Sequence, residues 1–158
     1  MKVLVIADSA YGNTWTLAGA IADAFGNDAR ALRPHHVEPG DMQDIDLLIV
    51  GSPTQGGRPL PSVTEFLRKL PKDALKGTPV AAFDTRVDAG KLNFALRLLV
   101  NTIGYAAPKI ARELTAFGGR QIAPPEGFIV EEKEGPLRPG EIQRGAEWAH
   151  RVQTAAVR

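Results

Sequence analysis

The stretch VLVIADSAYGNT, residues 3–14, decides how this chain folds. Its first five residues form a continuous apolar run, which is typical of a strand buried on both faces. Beyond the stretch, apolar residues recur at helical spacing, at Leu17, Ala18, Ile21, Ala22 and Phe25. The pattern therefore predicts a buried strand, a short polar loop and the start of a helix.

The loop between this strand and this helix predicts an anion site. The first N–H groups of a helix have no partner inside the helix, and the helix dipole favours a negative charge beside them. Gly12 lets the backbone come close to a ligand, and the hydroxyls of Ser9, Thr14 and Thr16 add donors. Because the loop contains no Lys or Arg, we expect neutral donors to hold a phosphate there.

Composition limits what the protein can be. With 158 residues the chain suits one domain, residues 1–158, with its own core. It has no cysteine, which excludes disulfides, thiolate catalysis and iron–sulfur clusters, so any redox chemistry must come from a bound cofactor. The net charge of +1, without a basic stripe, gives no reason to expect nucleic acid or a membrane as partner. No signal peptide or membrane span is recognisable, so the cytoplasm is the expected location.

Strands and helices alternate along the rest of the chain. Further strands are predicted at 29–33, 47–50 and 79–83, with a split fifth strand at 121–123 and 128–130; helices are predicted from residue 61, at 91–101, at 104–117 and from residue 139. Continuous apolar strands joined by helices indicate a parallel sheet covered on both faces. With right-handed crossovers, the expected fold is a single-domain, doubly wound α/β protein with a five-stranded parallel sheet.

Ligands of such sheets bind at the carboxyl ends of the strands. The loop after the third strand, GSPTQGGRP at residues 51–59, is rich in glycine and proline and can present backbone groups to a flat heterocycle. The predicted fourth strand ends at Phe83, and Asp84, Thr85 and Arg86 begin the loop after it. These two loops, together with residues 8–14, are the candidate site.

The first loop resembles the phosphate-binding loop of the flavodoxin family, which opens with Ser or Thr and closes with Gly-Asn-Thr or a similar triplet. The loop at 51–59 is similar to the Gly-Ser-Pro-Thr loop of flavodoxin-like flavoproteins, which runs along the edge of the isoalloxazine ring. The resemblance covers nearly the whole chain, including the order of the strands and the final helix. It implies a flavodoxin-like fold that binds FMN noncovalently.

The resemblance also implies three groups of FMN contacts. The phosphate would be held by Ser9, Ala10, Tyr11, Gly12, Asn13 and Thr14. The ring would be bordered by Ser52, Pro53, Thr54, Gln55, Gly56 and Gly57. The pyrimidine side of the ring would be met by Asp84, Thr85 and Arg86.

The chain departs from the family pattern in one respect. Flavodoxins usually place a stacking aromatic residue in the loops after the third and fourth strands, and neither 51–59 nor 84–90 contains one. Without such a side chain the ring should be more open. Two interpretations of Arg86 remain at this point: it offsets negative charge at the N1/O2 edge of reduced flavin, or it pairs with Asp84 or Asp88.

The resemblance implies electron transfer with a redox partner protein whose identity the sequence does not reveal. Two alternatives remain open: a flavodoxin-shaped binding or scaffold module that has lost FMN, and a small NAD(P)H-dependent quinone-type reductase that uses FMN. A receiver domain is disfavoured because Ser52-Pro53 stands where the phosphorylated Asp would lie, and the G-x-G-x-x-G and Walker A motifs are absent. His35 and His36 have no third ligand nearby, so we expect no metal site.

Overall fold

A parallel sheet runs through the centre of the computed structural model, which describes residues 1–158. Its strands in chain order are β1 (Val3–Ala7), β2 (Ala29–Leu32), β3 (Leu47–Pro53), β4 (Pro79–Val87), β5 (Arg120–Gln121) and β6 (Glu126–Val130). In space the order is β2-β1-β3-β4, and the short strands β5 and β6 both pair with β4. The predicted five-stranded parallel sheet with a split fifth strand is therefore confirmed.

Five α-helices complete the fold. They are α1 (Asn13–Phe25), α2 (Pro61–Arg68), α3 (Phe94–Ile103), α4 (Ala106–Ala116) and α5 (Glu141–Ala156). Helices α1 and α5 pack on one face of the sheet, and α2 and α4 pack on the other. The sheet is thus covered on both faces, as the doubly wound arrangement requires.

Strand β1 shows why its sequence is a continuous apolar run. Val3, Val5 and Ala7 belong to the core cluster beneath α1 and α5, whereas Leu4 and Ile6 belong to the cluster beneath α2 and α4. Successive side chains of a strand point to opposite faces, so a strand with helices on both sides must be apolar at every position. All five side chains are buried.

Three aromatic rings join the sheet to α5. Phe83 on β4, Phe128 on β6 and Trp148 on α5 meet edge to face, with ring centroids 6.0–6.1 Å apart. Gly51 on β3 lies directly against Phe83, and a Cβ at that position would overlap the ring. The glycine after the apolar run of β3 is therefore needed for close approach of an aromatic side chain.

Strand β4 is longer than the sequence predicts. It continues past Phe83 to Val87, so the prediction that Asp84, Thr85 and Arg86 form a loop is wrong. Both neighbours hold this extension in place, because β3 and β6 each pair with Asp84 and Thr85. The polar composition suggested a loop, but these side chains find their partners inside the protein.

Helix α3 is the exception in this packing. None of its residues is buried, and none belongs to either core cluster. Phe94 at its start is 82% exposed. The predicted helix is present, but it lies outside the body of the domain. No helix in the structure is both long enough and apolar enough to cross a membrane.

We expect Phe83→Ala to lower the free energy of unfolding by about 3–5 kcal/mol, because the substitution leaves a cavity at the centre of the aromatic cluster. The matched control is Phe94→Ala, which removes the same ring from an exposed position and should change stability by less than about 0.5 kcal/mol. Urea unfolding followed by tryptophan fluorescence measures both. Equal losses in the two variants would show that the aromatic cluster does not hold β4 to α5.

Candidate functional site

The strand register brings the candidate loops together at one edge of the sheet. Ala7 at the end of β1 pairs with Gly51 on β3, and Ser52 on β3 pairs with Asp84 on β4. The loop after β1, the loop after β3 and the end of β4 therefore meet at the carboxyl edge, where such sheets bind ligands.

Two hydrogen bonds between neighbouring residues fix the conformation of the loop after β1, residues 8–12. The N–H of Ser9 donates to Asp8 Oδ1 at 2.8 Å, and the N–H of Gly12 donates to Ser9 Oγ at 2.9 Å. Gly12 has φ +93°, in the left-handed region that favours glycine. The turn delivers the chain into α1 with the first helical N–H groups directed out of the helix.

Between residues 10 and 15, five N–H groups donate to no protein acceptor; they belong to Ala10, Tyr11, Asn13, Thr14 and Trp15. Three of them are in the first turn of α1, where the helix dipole adds positive potential. Unpaired amides gathered in this way need water or an anion as acceptor. We call residues 10–15 the amide cradle; its free backbone N–H groups are the main-chain donors that the sequence predicts for a phosphate.

The side chains of the cradle contribute less than expected. Thr14 is buried, with its Oγ1 2.7 Å from Oγ1 of Thr85, and Thr16 Oγ1 donates to the carbonyl of Gly12 at 2.9 Å. Asn13 Nδ2 donates to the carbonyl of Glu134 at 3.0 Å. The free donors are therefore mainly backbone amides, and the role of the Thr14 and Thr16 hydroxyls as phosphate donors stays a prediction.

Asp8, at the start of the loop, positions the loop through its hydrogen bonds. The sequence did not indicate this role, because two of its partners, Arg33 and Ser62, are distant in sequence. Its Oδ1 accepts from Arg33 Nη1 at 2.7 Å, and its Oδ2 accepts from Ser62 Oγ at 2.6 Å. Burial alone would raise the pKa of Asp8, but the bonds from Ser62, Ser9 and Arg33 outweigh it and lower the pKa. The guanidinium of Arg33 also lies over the Trp15 ring, 4.5 Å from its centroid. An ionised carboxylate thus fixes the entry to the cradle.

Ser52 stabilises the turn after β3. Its hydroxyl donates to the carbonyl of Pro53 at 2.9 Å and accepts from the N–H of Leu60 at 2.8 Å. The side chain is fully buried. Both hydrogen bonds of this hydroxyl therefore support the turn.

The tip of the same loop is a tight turn. Gln55 and Arg58 exchange backbone hydrogen bonds of 2.9 and 3.0 Å across Gly56 and Gly57, which both have positive φ. A Cβ on Gly57 would overlap Ile103 of α3. The two glycines therefore allow both the turn and the close approach of α3.

Asp84 organises the end of β4. The carboxylate is fully buried and accepts two hydrogen bonds of 2.7 Å from Arg86, and the N–H of Ala107 in α4 donates to it at 2.9 Å. Burial raises the pKa of Asp84, and the favourable contacts from Arg86, Ala107 and the Thr54 hydroxyl offset only part of that effect. Thr54 in turn accepts from the N–H of Ala106 at 2.9 Å.

Arg86 pairs with Asp84, which is one of the two interpretations that the sequence left open. The guanidinium is 3.6 Å from the ring centroid of Tyr105. It also packs on Gly127, where a Cβ would overlap it. The arginine is therefore fixed between β6 and the residue that precedes α4.

A small apolar pocket lies between the loop after β3, the end of β4 and α3. It has a volume of about 190 Å³. Gly56, Gly57 and Arg86 line it together with Tyr105, and α3 contributes four aliphatic residues, Leu96, Leu99, Val100 and Ile103. Of the residues predicted to border a ring, Thr54, Gly56 and Gly57 line this pocket, and Ser52, Pro53 and Gln55 do not. The inner face of α3 thus forms one wall of the pocket with aliphatic side chains.

The doubly wound sheet, with the amide cradle and the apolar pocket at its carboxyl edge, defines an α/β protein of the class whose ligand sites lie at the strand ends. The family model described as "Flavodoxin domain" matches residues 4–119, which is most of the chain. The chain belongs to the flavodoxin domain family. No curated protein matches its sequence.

Solved structures have the same fold at low sequence identity. A flavodoxin from the domain Archaea is similar with a TM-score of 0.74 at 17% identity, over 100% of both chains. Oxidised flavodoxin 1 from Bacillus cereus gives 0.73 at 16%, over 98% of each chain. Rubredoxin oxygen:oxidoreductase from Desulfovibrio gigas gives 0.73 at 20%, over 98% of this chain and 36% of that one. The likeness confirms the flavodoxin-like fold.

We expect Arg86→Met to lower the free energy of unfolding by about 3–5 kcal/mol at pH 8, because it leaves the Asp84 carboxylate buried without its cation. The pKa of Asp84 then rises further. A carboxyl whose pKa is higher in the folded than in the unfolded state destabilises the protein increasingly as pH rises between the two values, so the loss should be smaller at pH 5.

The control is the double variant Asp84→Asn/Arg86→Met, in which no buried charge remains. Because Asp84→Asn removes the titrating carboxyl, the stability of this double variant should change less between pH 5 and pH 8 than that of Arg86→Met. Urea unfolding at the two pH values measures both variants. A loss in Arg86→Met that is the same at both pH values would mean that the carboxylate is not the source of the destabilisation.

Proposed function

We propose that this protein binds FMN noncovalently at the carboxyl edge of the sheet and acts in electron transfer. The observation that carries the proposal is the position of the amide cradle, with five N–H groups that lack a protein acceptor, at the same sheet edge as the apolar pocket. FMN has a phosphate at one end and a flat ring system at the other. Membership of the flavodoxin domain family supports the same conclusion.

The amide cradle would hold the phosphate. Its donors are the backbone of Ala10, Tyr11, Asn13, Thr14 and Trp15, and the Ser9 hydroxyl remains able to donate. No cation is needed, because amide donors and the dipole of the 13-residue helix α1 already favour an anion at this point. The phosphate would then be recognised by shape and direction rather than by a charged side chain.

The apolar pocket would hold part of the ring. Its volume of about 190 Å³ is below the roughly 300–1,000 Å³ of most ligand sites, so ring entry requires α3 to move outward. Such a shift costs little packing, because no α3 residue is buried. Leu96, Leu99 and Val100 would then cover the ring with aliphatic surface in place of a stacked aromatic.

Electron transfer fits the side chains around the pocket better than acid–base catalysis does. Arg86 is the one charged residue that lines the pocket, and it is bonded to Asp84. Asp84 itself is fully buried. When bound, FMN supplies the redox chemistry, and the protein supplies binding and orientation.

The phosphate site predicts a difference between two ligands. Purified protein should quench FMN fluorescence on titration and bind FMN more tightly than riboflavin, which has the same ring without the phosphate. Ala10→Glu places a carboxylate in the amide cradle, so we expect it to weaken FMN binding by about tenfold or more through like-charge repulsion and to leave riboflavin binding unchanged.

The matched control for this variant is Asn27→Glu, which adds the same charge at an exposed turn beyond the other end of α1. It should bind FMN as the parent does. Equal affinity of the parent for FMN and riboflavin would contradict the assignment of the amide cradle as a phosphate site. FMN-loaded protein that oxidises NADH or NADPH without any partner would argue for the reductase alternative instead of the electron carrier.

The aliphatic cover predicts a difference between two adjacent leucines of similar exposure. Leu99 lines the pocket and Leu98 does not, although the two side chains are 47% and 57% exposed. We expect Leu99→Ala to weaken FMN and riboflavin binding alike, by about tenfold, because apolar area against the ring is lost. Leu98→Ala should change neither. Fluorescence titration of both variants with both ligands measures this; equal effects of the two substitutions would show that α3 does not cover the ring.

A further inference from the structure

A groove between α2 and α4 gathers positive charge on one side of the domain. It has a volume of about 770 Å³ and is lined by Arg58 before α2, Arg68 on α2, and Lys109 and Arg112 on α4. Glu113 is the one carboxylate in its lining. We call it the α2–α4 groove.

The charges of this groove are uncompensated. None of its four cations lies within 4.0 Å of a carboxylate. The chain as a whole is nearly balanced, with 19 Lys and Arg against 18 Asp and Glu. Elsewhere several arginines are paired with carboxylates, as Arg33 is with Asp8 and Arg144 is with Glu141. The groove is therefore a local excess of charge rather than a sample of a basic surface.

Lys109 lies among the other cations of the groove. Burial, together with the nearby charges of Arg58 and Arg112, lowers the pKa of its ammonium group. Its Nζ donates to the carbonyl of Gly57 at 2.5 Å, which is a neutral acceptor. An anionic surface placed over the groove would remove this repulsion.

The groove is also connected to the proposed flavin site. Gly57, which accepts from Lys109, lies in the loop after β3 and lines the apolar pocket as well. Arg58 is the next residue of the same loop. A molecule bound in the groove would therefore contact the loop that borders the ring.

We propose that the α2–α4 groove is the docking surface for an acidic face of the protein with which this chain exchanges electrons. The inference rests on the proposed function and adds the chemistry of the partner. The cations are spread over a loop and two helices around an open groove, which suits an extended acidic surface. Complementary charge of this kind steers encounter and increases the association rate.

The test uses the full chain without added FMN and fluorescein-labelled poly-L-glutamate of about twenty residues as the probe, with binding followed by fluorescence anisotropy. We expect binding at low salt that weakens as salt is added, because salt screens exposed charges. Arg68→Glu/Arg112→Glu should weaken it by about tenfold or more. Circular dichroism and urea unfolding of each variant establish that it is folded.

The matched control is Arg120→Glu/Arg151→Glu, which makes the same change in net charge at two exposed arginines outside the groove that form no ion pair. It should bind the probe as the parent does. Equal weakening in both double variants would mean that binding follows net charge and would overturn the proposal. Displacement of the probe by micromolar pyrophosphate would also overturn it, since the groove would then be a site for a small polyphosphate.

The two proposals fail separately. Poly-L-glutamate binding does not require the flavin. Absence of probe binding together with normal FMN binding would therefore contradict the docking surface alone. The reverse result, groove binding without any FMN binding, removes the electron-transfer function and with it the assignment of the partner as a redox protein.

Discussion

The carboxylate of Asp84 has no access to water, and the candidate site is arranged around that constraint. An ionised group in such a position is tolerated only when protein groups take over its hydration. Here three groups replace its hydration: the guanidinium of Arg86 on β4, the N–H of Ala107 in the first turn of α4, and the hydroxyl of Thr54 in the loop after β3. Three segments that are distant in sequence are thereby fixed relative to one another, and two of them form walls of the apolar pocket.

The fold could be predicted because its determinants are local. Strand β1 has helices on both sides, so every residue in it is apolar and the pattern is visible in the sequence. The amide cradle could be predicted for the same reason, since free N–H groups follow from the succession of strand, short loop and helix. The burial of Thr14 also follows from helical spacing: it lies three and four residues before Leu17 and Ala18, on the face of α1 that enters the core.

The rest depended on contacts between distant segments. Asp84, Thr85 and Arg86 resemble a loop when only their polarity is considered, yet they form a strand because Thr14, Ala107 and the pairing with β3 and β6 satisfy them. The apolar residues of α3 predict a helix, but they occur on all of its faces. Their spacing therefore does not identify the side that faces the pocket. The cations of the α2–α4 groove come from a loop and two helices that are separated in sequence. The net charge of +1 therefore gives no sign of the groove.

The amide cradle has a consequence for how such proteins diverge. Its donors belong to the main chain, and every residue except proline provides the same N–H group whatever its side chain. Apart from Gly12, whose backbone conformation suits glycine, replacements in the loop can leave the arrangement of donors intact. Under the proposed function, selection for anion binding would act on the path of the backbone more than on the identity of the side chains, which is consistent with one fold shared at only 16–20% identity.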